Sequence, residues 1–252
     1  MVDIKKIALI TGATSGIGES TAYELAKKYS LILCGRNKEK LNQLEDNLSS
    51  VTKVITLKFD VRNHKEVSEK ILSLDNSWNN IDLLINNAGN AHGLDFIHEG
   101  DIKDWDMMID TNVKGLLYVT KYVLESMIKN NSGHIINIGS LAGREVYEKG
   151  NIYCATKHAV NAISKAMRID LNKTGIKVSE INPGLVETDF SNVRFKGDSD
   201  RAEKVYQGYK ALQADDIADI IEFVINRPDH VNIADILVLP QAQATSSIID
   251  KK

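Results

Sequence analysis

The stretch Thr11-Gly12-Ala13-Thr14-Ser15-Gly16-Ile17-Gly18 decides the fold. It follows the β-branched run Ile7 to Thr11 and opens an amphipathic segment from Gly16 to Lys28, so the glycines stand between a strand and a helix. Glycines at 12, 16 and 18 permit a tight turn and a close backbone approach to a pyrophosphate. At the helix N-terminus, exposed N–H groups and the macrodipole both favour negative charge. A glycine triplet alone is weak evidence; its position between strand and helix is what points to a dinucleotide. Thr14, Ser15 and Ile17 lie in the same turn and join the glycines as cofactor-binding candidates.

Outward from this turn, short runs rich in Ile, Val and Leu recur at Leu31–Cys34, Val54–Phe59, Leu83–Asn86, His134–Gly139, Lys177–Ile181 and Ile236–Leu239. Each reads as a buried strand. Helical patterns fill the gaps at Lys38–Leu48, Lys65–Leu74, Trp105–Lys129, Tyr153–Lys173 and Asp215–Asn226. The alternation predicts an α/β fold, a three-layer doubly wound parallel sheet of Rossmann type. The three prolines fall outside every proposed helix and strand, and no low-complexity linker divides the chain, so residues 1–252 read as a single domain. The polar, Arg- and Lys-bearing segment 185–214 interrupts the pattern and is a candidate substrate lid, the alternative being an ordinary surface excursion.

Hydrophobic residues make up 43% and charged residues 26% of the 252, which excludes a disordered or fibrous chain. With 31 basic and 34 acidic residues the formal charge is −3, which leaves no footprint for a nucleic-acid or membrane-surface partner. Cys34 and Cys154 fit no metal-ligand spacing and read as reduced thiols, and no metal site is expected. The start Met-Val-Asp-Ile-Lys-Lys carries no signal-peptide pattern, and no apolar run reaches the roughly 18 residues of a membrane span. The expectation is a soluble, cytoplasmic protein.

The second strand leaves through Leu33-Cys34-Gly35-Arg36-Asn37. An NAD site usually places an acid there for the ribose 2′-OH, and none is in reach. Arg36 instead offers a planar cation suited to a 2′-phosphate, and Ser15 can add a hydroxyl, so NADP is the expected cofactor. The alternative is that Arg36 is a solvated charge. Phe59-Asp60-Val61 and Asn86-Asn87-Ala88-Gly89 end the third and fourth strands on the same sheet edge, where ligands of doubly wound sheets sit. Asp60, with Val61 beside it, can accept from the adenine amino group, and the Asn87-Ala88-Gly89 backbone can border the adenine ribose.

At Tyr153-Cys154-Ala155-Thr156-Lys157 the Tyr and Lys project from one helical face. A free Tyr, with a pKa near 10, is a poor acid–base catalyst at neutral pH. The Lys ammonium, with a positively charged oxidised nicotinamide, would lower it. The tuned phenol can then exchange a proton with an alcohol or carbonyl oxygen while hydride moves at carbon. Ser140 follows the strand His134–Gly139 and can hold the substrate oxygen, and Asn112 can position a water linking Lys157 to solvent.

Taken together, Thr-Gly-x-x-x-Gly-x-Gly (11–18), Asn-Asn-Ala-Gly (86–89), Asn112, Ser140, Tyr-x-x-x-Lys (153–157) and Pro-Gly (183–184) resemble the short-chain dehydrogenase/reductase family over essentially the whole chain. The resemblance implies a nicotinamide cofactor and an Asn112–Ser140–Tyr153–Lys157 catalytic tetrad. It also implies that Pro183, Gly184, Val186 and Thr188 border the nicotinamide, with the Val186 backbone near its carboxamide and the Thr188 hydroxyl near the phosphates. In this family the two long helices usually pair with those of a second subunit, which implies a homotetramer; the tail Val238–Gln243 can close a second interface.

The run from Glu180 through Asp198 and Lys204-Val205-Tyr206 looks like the NADP-dependent 3-hydroxy acid dehydrogenase branch, which acts on L-allo-threonine, serine and 3-hydroxypropionate-type substrates and reduces malonic semialdehyde. A small, anionic substrate needs a cation. Arg194 is the favoured one, with Lys196 and Arg144 as the other candidates and solvated or subunit-contact charges as the alternative. Competing activities are a sulfonate-aldehyde reductase, a 3-oxoacyl-carrier-protein reductase, which would need a basic docking surface, and a non-catalytic NADP-sensing protein.

Overall fold

The computed structural model describes residues 5–252, so the reading of the N-terminus falls in part on residues 1–4, outside the described residues. The first half of the chain runs β1 (Lys6–Thr11), α1 (Gly16–Ala26), β2 (Tyr29–Gly35), α2 (Lys38–Leu48), β3 (Val54–Lys58), α3 (His64–Leu72) and β4 (Leu83–Asn86). Next come α4 (Ile102–Ile109), α5 (Leu116–Asn130), β5 (Gly133–Ile138), α6 (Asn151–Asp170) and β6 (Ile176–Pro183). The remainder is β7 (Val186–Glu187), α7 (Phe190–Arg194), α8 (Ser199–Tyr206), β8 (Leu212–Gln213), α9 (Ala214–Ile225) and β9 (Asp235–Val238).

Strands join in the order β3-β2-β1-β4-β5-β6-β9, every pair parallel. The side chains explain the continuous apolar runs. On β1, Ile7 and Leu9 enter one core with residues of α3, α5 and α6, while Ala8 and Ile10 enter the other with α1, α2 and α9. A strand buried on both faces has no polar side to show. The strand order reverses between β1 and β4, which opens a crevice beyond Thr11 and Asn86. The doubly wound α/β sheet read from the sequence is therefore the fold observed.

Two expectations need correction. The single helix Trp105–Lys129 is broken: α4 and α5 are joined by a π-helical turn, Asp110–Gly115. The apolar stripe runs through both helices, so periodicity could not reveal the break, yet such turns frequently mark functional sites. Pro183, placed outside any strand, is the last residue of β6, where it pairs in register with Val238. Segment 185–214 is not a plain loop. Its ends pair as β7 and β8, and α7 and α8 lie between them. Among the described residues, no helix is long and apolar enough to cross a membrane.

Candidate active site

The glycine turn is held from β4. Thr11 Oγ1 accepts from the Asn87 and Ala88 amides at 3.1 and 3.0 Å, and Asn87 Nδ2 donates to the Thr11 and Gly12 carbonyls at 3.0 and 3.1 Å. Gly12 has φ +65°, a left-handed value that a side chain disfavours. Gly18 serves a different need: a Cβ there would stand 2.3 Å from the Gly12 carbonyl oxygen. The sequence grouped Gly18 with the cofactor-binding glycines, but the structure buries it behind the turn, where it lets α1 close on β1.

Beyond the turn lies a cavity of about 580 Å³. Gly12, Thr14, Ser15, Gly16 and Ile17 form one wall, and the exits of β2, β3 and β4 bring in Arg36, Asp60, Val61, Asn87, Ala88 and Gly89. Pro183, Gly184, Val186 and Thr188 close it from the end of β6 and the segment that follows. Ser15 N-caps α1 in extended conformation without a side-chain capping bond, and both Ser15 and Arg36 are exposed residues lining the cavity. Asp60 is less free than its expected role suggests. Arg62 donates to both its carboxylate oxygens, Nε at 3.0 Å to each and Nη2 at 2.6 Å to Oδ2. Burial alone would raise the Asp60 carboxyl, but these bonds and the Arg62 charge bring it below the usual range.

Ser140, Tyr153 and Lys157 meet at the inner end of the same cavity, from the exit of β5 and the first turns of α6. Ser140 Oγ accepts from the Ala142 amide at 3.1 Å, and the Ser140 amide donates to Asn182 Oδ1 at 3.0 Å. Burial pushes the Tyr153 phenol up, Tyr147 adds to this, and the Ser140 hydroxyl and Arg194 charge oppose it. The chain's own groups therefore do not give the lowered phenol expected from the sequence. Burial lowers Lys157 to about 8, with the buried Glu180 carboxylate opposing the shift.

Asn112 stands behind the wall rather than on it. Its Oδ1 accepts from the Asn90 amide at 2.8 Å, and its Nδ2 donates to the Asn90 carbonyl at 2.8 Å and Thr156 Oγ1 at 3.0 Å. With both amide protons engaged, this side chain ties the π-helical turn to α6 and to the turn after β4.

Of the three candidate cations, one reaches the cavity. Arg194 Nη1 donates to Tyr147 Oη at 3.1 Å, Nε donates to the Gly93 carbonyl at 3.2 Å, and the guanidinium carbon lies 5.6 Å from the Tyr153 ring centroid. Arg144 is paired with Asp235, and Lys196 with Asp104 at 2.9 Å. Sequence reasoning missed Tyr147 and Phe190, whose ring meets Tyr153 edge-on at 5.7 Å. It also missed the C-terminal tail. Gln243 Oε1 accepts from the Leu185 amide at 2.9 Å, and Gln243, Ser246, Ile249 and Lys251 line the cavity, so the tail closes on its own chain's site. The Leu185–Gln243 bond joins residues far apart in the chain and had no local signal.

The short chain dehydrogenase family model matches residues 6–199. The chain is 45% identical over 244 residues to the NADP-dependent 3-hydroxy acid dehydrogenase YdfG of Escherichia coli K12, covering 96% of this chain and 98% of that one. It is 43% identical over 251 residues to the NADP-dependent 3-hydroxy acid dehydrogenase of Schizosaccharomyces pombe, covering 98% and 97%. Among solved structures, the closed form of serine dehydrogenase complexed with NADP+ superposes with a TM-score of 0.92 at 44% identity, covering 98% of this chain and 99% of that one. The chain belongs to the short chain dehydrogenase family.

Proposed function

We propose that the protein transfers hydride between NADP(H) and a short hydroxy acid or its carbonyl form, with 3-hydroxy acids, serine, L-allo-threonine and malonic semialdehyde-like aldehydes as the substrate class. The observation that carries this reading is the lid guanidinium of Arg194, which shares one cavity with the Tyr153 phenol and lies 5.6 Å from its ring centroid. A carboxylate beside a reacting carbinol needs a cation, and a guanidinium fork suits it best. The activity named for the relatives agrees with this reading.

The residues present fit NADP. The left-handed backbone at Gly12 and Gly16, both lining the cavity, suits a close approach of the pyrophosphate, and the exposed Arg36 and Ser15 suit a 2′-phosphate. Asp60, Val61 and the Asn87-Ala88-Gly89 backbone would border the adenosine, and Pro183 to Thr188 the nicotinamide. Bound there, NADP supplies the carbon that accepts or returns hydride and, when oxidised, a positive charge that favours phenolate.

As phenolate, Tyr153 Oη would take the hydroxyl proton while the carbinol hydrogen leaves with the C–H electron pair as hydride; as phenol it would return that proton to the carbonyl oxygen in reduction. Ser140 Oγ accepts from Ala142, and its hydroxyl proton, directed at the Tyr153 phenol, would donate to a substrate oxygen set between the two. Lys157 holds a positive charge below its pKa of about 8 and biases the phenol toward ionisation. Asn112 fixes the frame around these groups. Segment 185–214 acts as the lid and excludes water.

The same reading places the protein in the cytoplasm as a homotetramer, with one domain per chain. Leu117 and Ile128 on α5 and Ile169 on α6 expose apolar surface suited to a second subunit. Sedimentation equilibrium is expected to give a tetrameric mass.

The functional test is turnover with NADP⁺ and 3-hydroxypropionate or L-serine, beside NADPH with an acetoacetyl thioester. The hydroxy acids are expected to give the larger kcat/KM. A preference for the thioester, or no turnover with any of them, would overturn the proposal.

A further inference from the structure

Resting on that reading, we propose that Tyr147 is the positioning residue that gives the site its selectivity for a carboxylate. Its hydroxyl and the Gly93 carbonyl together set the orientation of the Arg194 guanidinium above Tyr153.

Tyr147 lies in the connection between β5 and α6, on the fixed side of the cavity, whereas Arg194 belongs to the lid helix α7. The ring is seated against Gly150, where a Cβ would come within 2.5 Å of it, so the start of α6 holds the phenol in place. From that seat Tyr147 Oη accepts one proton of Arg194 Nη1 at 3.1 Å. On the far edge, Gly93 binds the same residue twice: its carbonyl accepts from Arg194 Nε at 3.2 Å and its amide donates to the Arg194 carbonyl at 3.0 Å. The guanidinium carbon is 5.6 Å from each of the Tyr147 and Tyr153 ring centroids, so the cation stands between two phenols.

Two of the five guanidinium protons are thereby engaged. Among the described residues, Nη2 has no protein acceptor. A cation with its Nε and one Nη fixed presents the remaining N–H edge in one direction, and a carboxylate bound to it loses less side-chain freedom than one captured by a mobile arginine. With Tyr153 close to the same guanidinium, a short acid can reach the cation and the phenol together.

Discrimination between an acid and its neutral analogue is read as a ratio. Tyr147→Phe keeps the ring and its seat on Gly150 but removes the acceptor. Catalytic efficiency on 3-hydroxypropionate relative to that on 1,3-propanediol, the same chain without the carboxylate, is expected to fall about tenfold, as for loss of one hydrogen bond to a charged group. The loss is expected in KM for the acid more than in kcat. Arg194→Ala is expected to lower the ratio at least as far, and adding Tyr147→Phe to it to cost nothing more, since the two act as one unit.

If Arg194→Ala lowers the ratio and Tyr147→Phe leaves it at the parent value, the role of Tyr147 is overturned and the hydroxy-acid reading stands. If Arg194→Ala also leaves it unchanged, both fall. A purely structural role for Tyr147 would lower turnover of acid and diol alike, and that result overturns the proposal as well.

Discussion

Lys157 Nζ lies 6.0 Å from the centroid of the Tyr153 ring and donates to the Ile138 carbonyl at 2.9 Å. The ammonium thus stands near the phenol ring in a buried position fixed by a strand carbonyl. That position is costly. With a folded pKa of about 8 against an ordinary 10.5, the unfolded chain binds more protons between those values, so stability rises as pH climbs through that window. Below it the buried ammonium costs roughly 3 kcal/mol, at about 1.4 kcal/mol per pH unit. Lys157→Met is expected to melt above the parent at pH 7, with the gap narrowing toward pH 10, and to lose most of its turnover. Thermal denaturation at the two pH values checks this; a variant less stable than the parent at pH 7 would contradict it.

Gly18 tests the phosphate turn without touching the cavity. Its Cβ would meet the Gly12 carbonyl at 2.3 Å and Asn87 Nδ2 at 2.5 Å, two parts of the clamp that shapes the turn. Gly18→Ala must displace α1 or the turn, at a cost of about 1–3 kcal/mol. Weaker NADP binding by fluorescence titration, together with a lower Tm, is the expected outcome. Parent-like values of both would show that the close approach is not needed.

Arg36 tests cofactor choice. It is exposed on the rim and has no ion-pair partner among the described residues. If it binds the 2′-phosphate, Arg36→Ala removes a charge-assisted contact of about 1.5–3 kcal/mol. The ratio of kcat/KM for NADP⁺ over NAD⁺ should fall by about ten- to a hundredfold, mainly through NADP⁺. An unchanged ratio would return Arg36 to the status of a solvated charge.

Asn112 tests whether the π-helical turn matters. Its amide joins Asn90 to Thr156. Asn112→Leu leaves the buried Asn90 amide and carbonyl without this partner, at about 1–3 kcal/mol for each, while the Thr156 hydroxyl keeps its bond to the Tyr153 carbonyl. Lower Tm and slower turnover are expected together, and a loss of turnover at unchanged Tm would instead favour the water-holding role read from the sequence.

The same residues mark what the chain disclosed before folding. The glycine turn, the strands buried on both faces and the Tyr153–Lys157 spacing are local, so adjacent residues carry them. Arg194 was favoured over Arg144 and Lys196 without a local signal to exclude them, because a charge has no periodicity; only the folded chain pairs Arg144 with Asp235 and Lys196 with Asp104. Tyr147 and Gln243 were silent for a related reason, since their partners, Arg194 and Leu185, lie far along the chain. The elements β7, β8 and α7 are too short to impose a pattern on segment 185–214. Asn112 was found by motif, but the saturation of its amide depends on Thr156 reaching it from another helix.

Proton transfer through the Tyr153 hydroxyl underlies every step proposed for this site, and its direct measure is the turnover number of Tyr153→Phe in NADP⁺-dependent oxidation of 3-hydroxypropionate. Removing one oxygen atom from a buried ring is expected to lower kcat by at least about a hundredfold, the usual worth of a positioned acid–base group. Turnover at the parent rate would contradict the mechanism.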